Sequence, residues 1–454
     1  MTRDLTQDRP MRLIASFGFP ILLGVLFQQF YSLADTAIVG KILGGGALAA
    51  VGSTASINFL VVGFSVGICS GFAIPVAQQF GAGNYYELRR YVTGSAWLCA
   101  IFGVILTALT VLLCGDILAL IHTPSDIFHR AYAYIVTIFA GLPAYLLYNY
   151  AAGVLRSLGD SRTPVVWLIA ASLVNIVLDV AFILFFSMDV FGAALATVLS
   201  QLLAGAGCLV RMIRGFPVLR TQREDWQWSW RRAGHLCVMG LPMGLQFSIT
   251  AIGSVMLQSS VNTLGTMYVT ASTAASRVSN FVTCPLDAMG ATMATYAGQN
   301  AGAGKYDRIR QGVSACLILA AGYSLATFGL MRLCGGWLCA LFLDSGSMSL
   351  LPLAVQFLHT VSAFYFPLGV IYILRLTIQG MGFSPLATLS GVLEMAARCV
   401  MSCLVPVYGY LAACCASPAA WVTADLFLIP AYLCCWRRLA HRESAGGAVL
   451  HCQG

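Results

Sequence analysis

Residues Ala77–Val92 read AQQFGAGNYYELRRYV, and residues Ala297–Val313 read AGQNAGAGKYDRIRQGV. Each stretch ends a long apolar run with glutamine, continues through Gly-Ala-Gly, and then carries two basic residues. The two Gly-Ala-Gly sequences are 221 residues apart. Self-similarity at a fixed spacing indicates that the chain consists of two halves with the same fold.

Two further pairs of segments support this repeat. FGFPILLG (Phe17–Gly24) corresponds to VMGLPMGL (Val238–Leu245). LRSLGDSRTP (Leu155–Pro164) corresponds more weakly to IQGMGFSP (Ile378–Pro385). All three pairs occur in the same order and are separated by 221 to 222 residues, which favours a duplicated architecture.

The composition places the protein in a membrane. Of its 454 residues, 59% are hydrophobic and 9% are charged, whereas soluble domains carry about 25% charged residues. The net charge of +8 does not indicate a nucleic-acid-binding protein, because the basic residues cluster in short segments between apolar runs. By the positive-inside rule these segments, and with them both termini, face the cytoplasm.

Twelve apolar segments are long enough to cross a bilayer, which takes about 20 residues each. They include a fourth span at Ala131–Leu155, an eighth at Val269–Tyr296 and a tenth at Leu353–Ile378. Six spans per half is an even number, so the halves have the same orientation and form parallel repeats. We therefore expect an all-α integral membrane protein with two pseudo-symmetric six-helix bundles, an architecture typical of alternating-access transporters.

The repeat also predicts the domain boundaries. Residues 1–214 form an N-lobe with helices 1–6, and residues 235–454 form a C-lobe with helices 7–12 and a basic cytoplasmic tail. Residues 215–234 form a cytoplasmic loop between them that contains WQWSW. Alternating tryptophans beside arginines are typical of a segment at the level of the lipid headgroups.

Acidic residues inside the spans are the candidate functional residues. A charge at the bilayer centre costs about 3 kcal/mol on insertion scales, so it needs a partner or a function. Asp35 lies in the first span, and Asn175 and Asp179 lie in the fifth, four residues apart on one helix face. The fourth span adds Tyr134 and Asn149, and the sixth adds Thr197.

If these spans surround one cavity, two carboxylates, one or two carboxamides and a hydroxyl converge there. Such an oxygen-rich site suits a monovalent cation or a shared proton. The alternative is that these polar groups only join neighbouring helices. In the second half, Glu394 and Arg398 have the spacing of an intrahelical ion pair, and we take Asp425 on the last span as structural.

The chain resembles a bacterial multidrug and toxic compound extrusion (MATE) transporter over essentially its whole length. The resemblance lies in FPILLGVLFQQFYSLADTAIVG (Phe19–Gly40), PVAQQFGAGNYYELRR (Pro75–Arg90), GVLRSLGDSRTP (Gly153–Pro164) and ATMATYAGQNAGAGKYDRIR (Ala291–Arg310). It implies two six-helix lobes in a V shape around a central cavity. It also implies antiport, in which the uptake of a cation drives the export of a drug.

The resemblance further implies an N-lobe site for the coupling cation and the substrate. The matching motifs place Asp35, Asn175 and Asp179 in this site. The spacing from Asp179 adds Asn149, Thr197 and Tyr134. A sodium ion would bind at Asp35, Asp179, Asn175 and Thr197. The chain departs from the branch with acids on the seventh and tenth helices, since its tenth span offers Arg375 but no acid.

The expected function is therefore secondary active efflux of amphipathic, cationic organic compounds in exchange for H⁺ or Na⁺. We expect no cofactor besides the coupling ion, no nucleic-acid partner and no enzymatic activity. We also expect a monomer in the bacterial cytoplasmic membrane. Two alternatives remain open: a flippase for lipid-linked oligosaccharides or precursors from the same superfamily, and an integral membrane enzyme, for which the sequence offers no set of catalytic residues.

Overall fold

The computed structural model describes residues 4–121, 123–343 and 345–451. Across these ranges the chain is α-helical and contains no β-strand, which confirms the predicted fold class. The α-helices are α1 (Pro10–Leu43), α2 (Gly45–Gly81), α3 (Tyr85–Leu112), α4 (Cys114–Leu120), α5 (Ser125–Ala140), α6 (Leu142–Ser157), α7 (Arg162–Val180), α8 (Asp189–Gly215), α9 (Trp230–Asn262), α10 (Thr266–Gly302), α11 (Tyr306–Ala340), α12 (Leu351–Ser362), α13 (Tyr365–Gly380), α14 (Ser384–Tyr408) and α15 (Tyr410–His451).

Nine of the described helices are each long and apolar enough to cross a membrane. Two further spans are pairs of helices: α5 and α6 meet at a bend of 43°, and the segment Gly346–Ser362 meets α13 at a bend of 47°. The predicted fourth and tenth spans are thus broken rather than continuous. Each break places an irregular turn within a span, where the surrounding protein must satisfy the freed backbone groups.

The predicted eighth span is α10, which is 37 residues long but less apolar than the nine. Its C-terminal part is buried inside the protein, including Thr292, Thr295, Gln299 and Asn300. A helix that is shielded from lipid can carry such polar side chains, because neighbouring helices satisfy them. The described residues thus contain nine to eleven helices or helix pairs that are able to cross a membrane, and α10 coincides with the remaining predicted span.

The repeat extends to the backbone between the helices. Gly44, before α2, and Gly265, before α10, both have positive φ angles, of 83° and 107°. Gly83 and Gly304, in the two Gly-Ala-Gly sequences, have φ angles of 67° and 71°. Only glycine adopts this region without strain, so the two halves require glycine at the same turns.

The described chain forms two compact units. Unit 1 contains Leu23–Ser248, and unit 2 contains Leu5–Leu22 together with the chain from Ile249 onward. The first turns of α1 therefore belong to unit 2, and the first half of α9 belongs to unit 1. The lobe boundaries at 214 and 235 stay a prediction about the parts that transport the substrate.

In unit 1, α2 and α9 approach each other closely at glycines. A Cβ atom built on Gly67 would lie 2.5 Å from the carbonyl oxygen of Met243 and 2.7 Å from Cα of Gly244. A Cβ atom built on Gly71 would lie 2.4 Å from Cα of Gly240. Small residues of this kind let the backbones of membrane helices pack directly against each other.

The tryptophan-containing loop is fixed to α3 within unit 1. Asp225 is buried, and its Oδ2 accepts from Nε of Arg89 at 3.1 Å and from the backbone N–H of Gln222 at 2.8 Å. The carbonyl of Asp225 accepts from the hydroxyl of Thr93. The side chains of Trp226, Trp228 and Trp230 remain exposed, as a segment at the headgroup level requires.

In unit 2, the segment before α1 is fixed to the end of α10. The backbone N–H of Leu5 donates to Oε1 of Gln299 at 2.9 Å, and its carbonyl accepts from Nδ2 of Asn300 at 3.2 Å. Nζ of Lys305 donates to the carbonyl of Thr6 at 3.0 Å. The second copy of the glutamine and Gly-Ala-Gly motif thus binds the segment before α1. In unit 1, α3 binds the tryptophan-containing loop in a similar way.

Candidate functional site

Four helices of unit 1 place polar side chains in one cluster. α1 contributes Asp35, α7 contributes Asn175 and Asp179, α8 contributes Thr197, and α5 contributes Tyr134. Four of these five side chains are buried, with Asp179 and Asn175 fully inaccessible, while Asp35 is half-buried. The structure therefore brings together five of the six residues that the sequence singled out.

The carboxyl groups of Asp35 and Asp179 lie within hydrogen-bonding reach of each other. One oxygen of each group, Oδ1, is buried and has no hydrogen-bond partner among the described residues. Two carboxylates at this separation repel each other strongly unless a proton or a cation lies between them. The pair is therefore a candidate site for one shared proton or monovalent cation.

The amide of Asn175 orients one of these carboxyl groups. With its amide placed to satisfy both neighbours, its nitrogen donates to Oδ2 of Asp179 at 2.8 Å and its oxygen accepts from the backbone N–H of Thr197 at 3.1 Å. The four-residue spacing on α7 makes the first contact possible, since side chains at i and i+4 share a face. Asn175 thus links α7 to α8.

Thr197 connects the cluster to α1. Its hydroxyl donates to the carbonyl of Ala193 at 3.0 Å, so its lone pairs remain as acceptors. The hydroxyl of Tyr31 lies 3.1 Å from Oγ1 of Thr197 and is therefore the donor in that contact. Tyr31 is a site residue that the sequence reading missed, although it lies four residues before Asp35 on the same helix face.

Three tyrosines lie near Asp35. Tyr31, Tyr134 and Tyr145 each interact electrostatically with its carboxyl group, and Tyr134 is only 7% exposed. Tyr145 was also missed, since a tyrosine in an apolar span is indistinguishable from a packing residue in the sequence. Phenol groups next to a carboxyl pair can donate hydrogen bonds to it or present π faces to an organic cation.

Asn149 is placed differently from the other predicted residues. Its Nδ2 donates to the carbonyl of Tyr145 on its own helix at 2.8 Å. It is half-buried, and no recorded contact of the described residues joins it to Asp35 or Asp179. Its role in the site stays a prediction.

The backbone on both sides of the cluster departs from regular α-helix. A π-helical segment, Ala181–Phe185, begins two residues after Asp179, and such segments occur often at functional sites. The chain then passes through Ser187 and Asp189, which have positive φ angles of 52° and 50°. The bend between α5 and α6 occurs at Gly141, where a Cβ atom would collide with Val198 of α8.

The donor set suits a proton or a small monovalent cation rather than a structural transition metal. No group of three or more His, Cys, Asp or Glu side chains with metal-binding geometry occurs in the described part of the chain. The available oxygens are the two free Oδ1 atoms, the amide oxygen of Asn175 and the hydroxyl of Thr197. A hard cation prefers such neutral and anionic oxygens.

The charged residues of the second half form contacts of their own in unit 2. Nη2 of Arg398 lies 3.6 Å from Oε2 of Glu394, which confirms the predicted ion pair. Nη2 of Arg375 contacts the other oxygen of Glu394. This second pair joins α13 to α14, and the spacing of residues within one helix could not predict it.

Comparisons with known proteins give one consistent result. A sequence profile of the MatE family matches residues 20–181 and 242–402, one block in each half. The probable multidrug resistance protein YpnP of Bacillus subtilis is 27% identical over 390 residues, which cover 84% of each chain. The probable multidrug resistance protein YoeA of the same organism is 29% identical over 68% of this chain and 69% of its own.

The fold is also shared with solved structures. A crystal structure of MATE in complex with MaL6 superimposes with a TM-score of 0.88 at 20% sequence identity, over 97% of this chain and 99% of the other. At this level of identity the agreement concerns the fold alone. The profile match covers well over half of the chain and carries the family assignment.

Proposed function

Because the chain belongs to the MatE family of multidrug efflux transporters, as the sequence resemblance predicted, we propose that it is a secondary active antiporter coupled through the carboxyl pair of unit 1. It exports amphipathic organic cations and takes up H⁺ or Na⁺ in exchange, by alternating access. The observation that carries this proposal is the contact between the carboxyl groups of Asp35 and Asp179.

The mechanism follows from competition for this pair. When the site is open to the outside, a cation binds between Asp35 and Asp179 and neutralises them. The loss of negative charge weakens the binding of a cationic substrate, which then leaves. After the transporter changes to its inward-open state, the coupling ion is released into the cytoplasm. The carboxyl pair is then charged again. A ligand shifts a conformational equilibrium only through its different affinities for the two states, and shared carboxylates supply that difference.

Neighbouring side chains help the proposed site to bind both the coupling ion and the organic substrate. Asn175 and Thr197 supply uncharged oxygens for a sodium ion, which would be held with Asp35 and Asp179. If the ion is a proton, the same groups stabilise the remaining carboxylate by hydrogen bonds. The tyrosines beside Asp35 offer aromatic faces to an organic cation. No organic cofactor is needed for such a cycle.

The proposed setting is the cytoplasmic membrane of a bacterium, with both termini in the cytoplasm. The support is the basic character of the segments that join the helices, since basic loops stay on the cytoplasmic side. We propose that the transporter acts as a monomer with the bilayer and its small-molecule substrates as partners. A lipid flippase would need free basic groups for an anionic headgroup. Of the three arginines deep inside the predicted spans of the second half, Arg375 and Arg398 are engaged with Glu394, and Arg277 is exposed.

The test is efflux of a fluorescent organic cation from proteoliposomes, driven separately by a pH gradient and by a sodium gradient. We expect one gradient to drive efflux by the natural protein. In Asp35→Asn the gradient-dependent part should fall at least tenfold, which corresponds to about 1.4 kcal/mol. Asp116→Asn, which changes an exposed aspartate on α4, is the matched control and should behave like the natural protein.

The outcome that contradicts the proposal is efflux by Asp35→Asn with an unchanged dependence on the driving gradient. Translocation of a fluorescent lipid without drug efflux would instead support the flippase. Chemical alteration of the transported compound by the purified protein would support an enzyme.

A further inference from the structure

Unit 1 carries four exposed tryptophans that the proposed cycle does not use. They are Trp97 on α3, Trp226 and Trp228 in the loop between the halves, and Trp230 at the start of α9. They are half of the eight tryptophans in the chain, and each is between 38% and 81% exposed. Tryptophan is enriched where a bilayer meets water, because its ring is apolar and its N–H is polar. We call these four residues the tryptophan platform.

Contacts between the side chains order the platform. Nε1 of Trp97 donates to the carbonyl of Trp226 at 3.3 Å, and the two ring centroids lie 6.4 Å apart at an angle of 83°. The rings of Trp228 and Trp230 lie 5.3 Å apart at 87°. Nε1 of Trp226 donates to Oγ1 of Thr221 at 3.2 Å. Edge-to-face contacts of this kind are favourable, so the exposed rings have defined positions.

The loop follows one face of α3. Arg89, Thr93 and Trp97 are four residues apart and therefore share a face, which covers about 12 Å along the helix. In the same order, Arg89 donates to the carboxylate of Asp225, Thr93 donates to the carbonyl of Asp225, and Trp97 donates to Trp226. Because α3 is long and apolar enough to cross the membrane, the platform lies beside a spanning helix, near the end that carries its charges.

Three exposed arginines of the loop adjoin the platform. Arg223 and Trp226 are the first and last residues of a short 3₁₀ helix, in which side chains three residues apart lie above one another. Arg220 precedes Thr221, which accepts from the ring of Trp226, and Arg231 directly follows the last tryptophan of the platform. Among the described residues, none of these three arginines has a recorded ion pair.

The acids of this region leave the positive charge uncompensated. Asp225 pairs with Arg89, and Glu87 pairs with Arg232 at 3.2 Å. The other acid of the loop, Glu224, is exposed. Three unpaired arginines and one unpaired glutamate give the loop a net charge of +2 beside the four tryptophans. Basic residues next to interfacial tryptophans complement a bilayer surface that carries negative headgroups.

We propose that the tryptophan platform, with Arg220, Arg223 and Arg231, binds an anionic phospholipid of the surrounding bilayer. The guanidinium groups bind the lipid phosphate, whose oxygens match their donors, and the rings pack against the glycerol and the first carbons of the acyl chains. A soluble anion would contact the arginines but would leave the four rings in water. The proposal is independent of the coupling ion and of the exported compound.

A lipid at this place would stabilise the start of α9 against α3. The platform includes Trp230, the first residue of α9, and Trp97 of α3, so one bound lipid contacts both helices and the loop between them. A ligand that binds only the folded protein raises its stability in proportion to the logarithm of the ligand concentration above the dissociation constant. Binding can therefore be measured as thermal stabilisation, without any transport.

The first experiment titrates the purified full-length protein in detergent with short-chain phosphatidylglycerol. Phosphatidylcholine of the same chain length tests the need for net negative charge, and glycerol 3-phosphate tests the need for acyl chains. We expect phosphatidylglycerol to stabilise at the lowest concentration and glycerol 3-phosphate to have no effect. In Arg223→Gln the half-stabilising concentration of phosphatidylglycerol should rise about fivefold, the contribution of one arginine near an anionic surface. Arg12→Gln, at an exposed arginine of α1, is the matched control and should respond like the natural protein.

The second experiment locates the lipid and does not depend on an arginine variant. Brominated lipids quench tryptophan fluorescence on contact. In vesicles, brominated phosphatidylglycerol should quench the natural protein more than brominated phosphatidylcholine does. The double variant Trp228→Phe with Trp230→Phe should lose most of this difference, while the contact of Asp225 with Arg89 remains. Trp337→Phe, at an exposed tryptophan of α11, should keep the difference.

Several results would overturn the proposal. One is equal stabilisation of the natural protein by phosphatidylglycerol and phosphatidylcholine, and another is an unchanged response of Arg223→Gln to phosphatidylglycerol. Stabilisation by glycerol 3-phosphate as strong as that by phosphatidylglycerol would identify a site for free phosphate instead of a lipid. A full quenching difference in the double tryptophan variant would place the anionic lipid elsewhere on the protein.

Discussion

The hydroxyl of Tyr31 on α1 donates to Oγ1 of Thr197 on α8 across 3.1 Å. One helical turn after Tyr31 is Asp35, and the backbone N–H of Thr197 holds the amide oxygen of Asn175. This hydrogen bond therefore connects the helix of one site carboxylate to the residues that orient the other.

Replacing Tyr31 with phenylalanine removes this connection and leaves the ring in place. A lost hydrogen bond of this kind costs about 1 kcal/mol. If the bond forms mainly in the cation-bound state, the apparent affinity for the coupling ion should fall about fivefold. Efflux as a function of ion concentration is the measurement. Tyr132→Phe, at an exposed tyrosine of α5, serves as control, and equal ion dependence in both variants would show that Tyr31 has no part in coupling.

The contact of α2 with α9 depends on glycine at position 67. In Gly67→Ala the new Cβ atom would lie 2.5 Å from the carbonyl oxygen of Met243, and backbone atoms cannot move away easily. We expect destabilisation of about 1–3 kcal/mol from overpacking, measured as the loss of folded protein on heating in detergent.

Gly52 provides the matched control on the same helix, because a Cβ atom there would meet nothing within 4 Å. Gly52→Ala should be neutral or stabilising by up to about 1 kcal/mol, since alanine is the better helix former. Similar stabilities for the two variants would show that α2 and α9 can accommodate a methyl group at position 67 without loss of stability.

The loop between the halves depends on Asp225. Asp225→Ala removes the acceptor for Arg89 and for the backbone of Gln222, and it leaves Arg89 without its recorded partner. We expect a loss of about 2 kcal/mol of local stability and faster tryptic cleavage at the exposed Arg220 and Arg223. Glu224→Ala, at the neighbouring exposed acid, should leave the cleavage rate unchanged; equal cleavage of the two variants would contradict an anchoring role.

Much of the fold follows from patterns that a sequence displays directly. The twelve spans follow from hydropathy, and the two halves follow from motifs such as Gly-Ala-Gly, because only glycine adopts the positive φ angles at those turns. The need for glycine at position 141 does not follow, since a Cβ atom there would collide with the side chain of Val198 on a helix that is distant in sequence. Requirements of this kind depend on tertiary contacts.

The candidate site likewise contains some residues that the sequence identifies and others that it does not. Asp35 and Asp179 are evident because a carboxylate in an apolar span is costly. Tyr31 and Tyr145 are not evident, since tyrosine is common in membrane helices and its hydroxyl partner lies on another helix. Arg375 shows the same limit in unit 2, where its partner Glu394 belongs to the next helix.

The segment before α1 supplies the last prediction. The backbone N–H of Leu5 donates to Gln299, which is fully buried. In Gln299→Ala this amide loses its acceptor, and we expect its hydrogen exchange to become about tenfold faster, equivalent to about 1.4 kcal/mol of local stability. Exchange measured by mass spectrometry on peptides that cover Leu5 gives the rate. Gln311→Ala, at an exposed glutamine of α11, controls for general loosening of unit 2. Unchanged exchange in Gln299→Ala would mean that Asn300 and Lys305 hold the segment without Gln299.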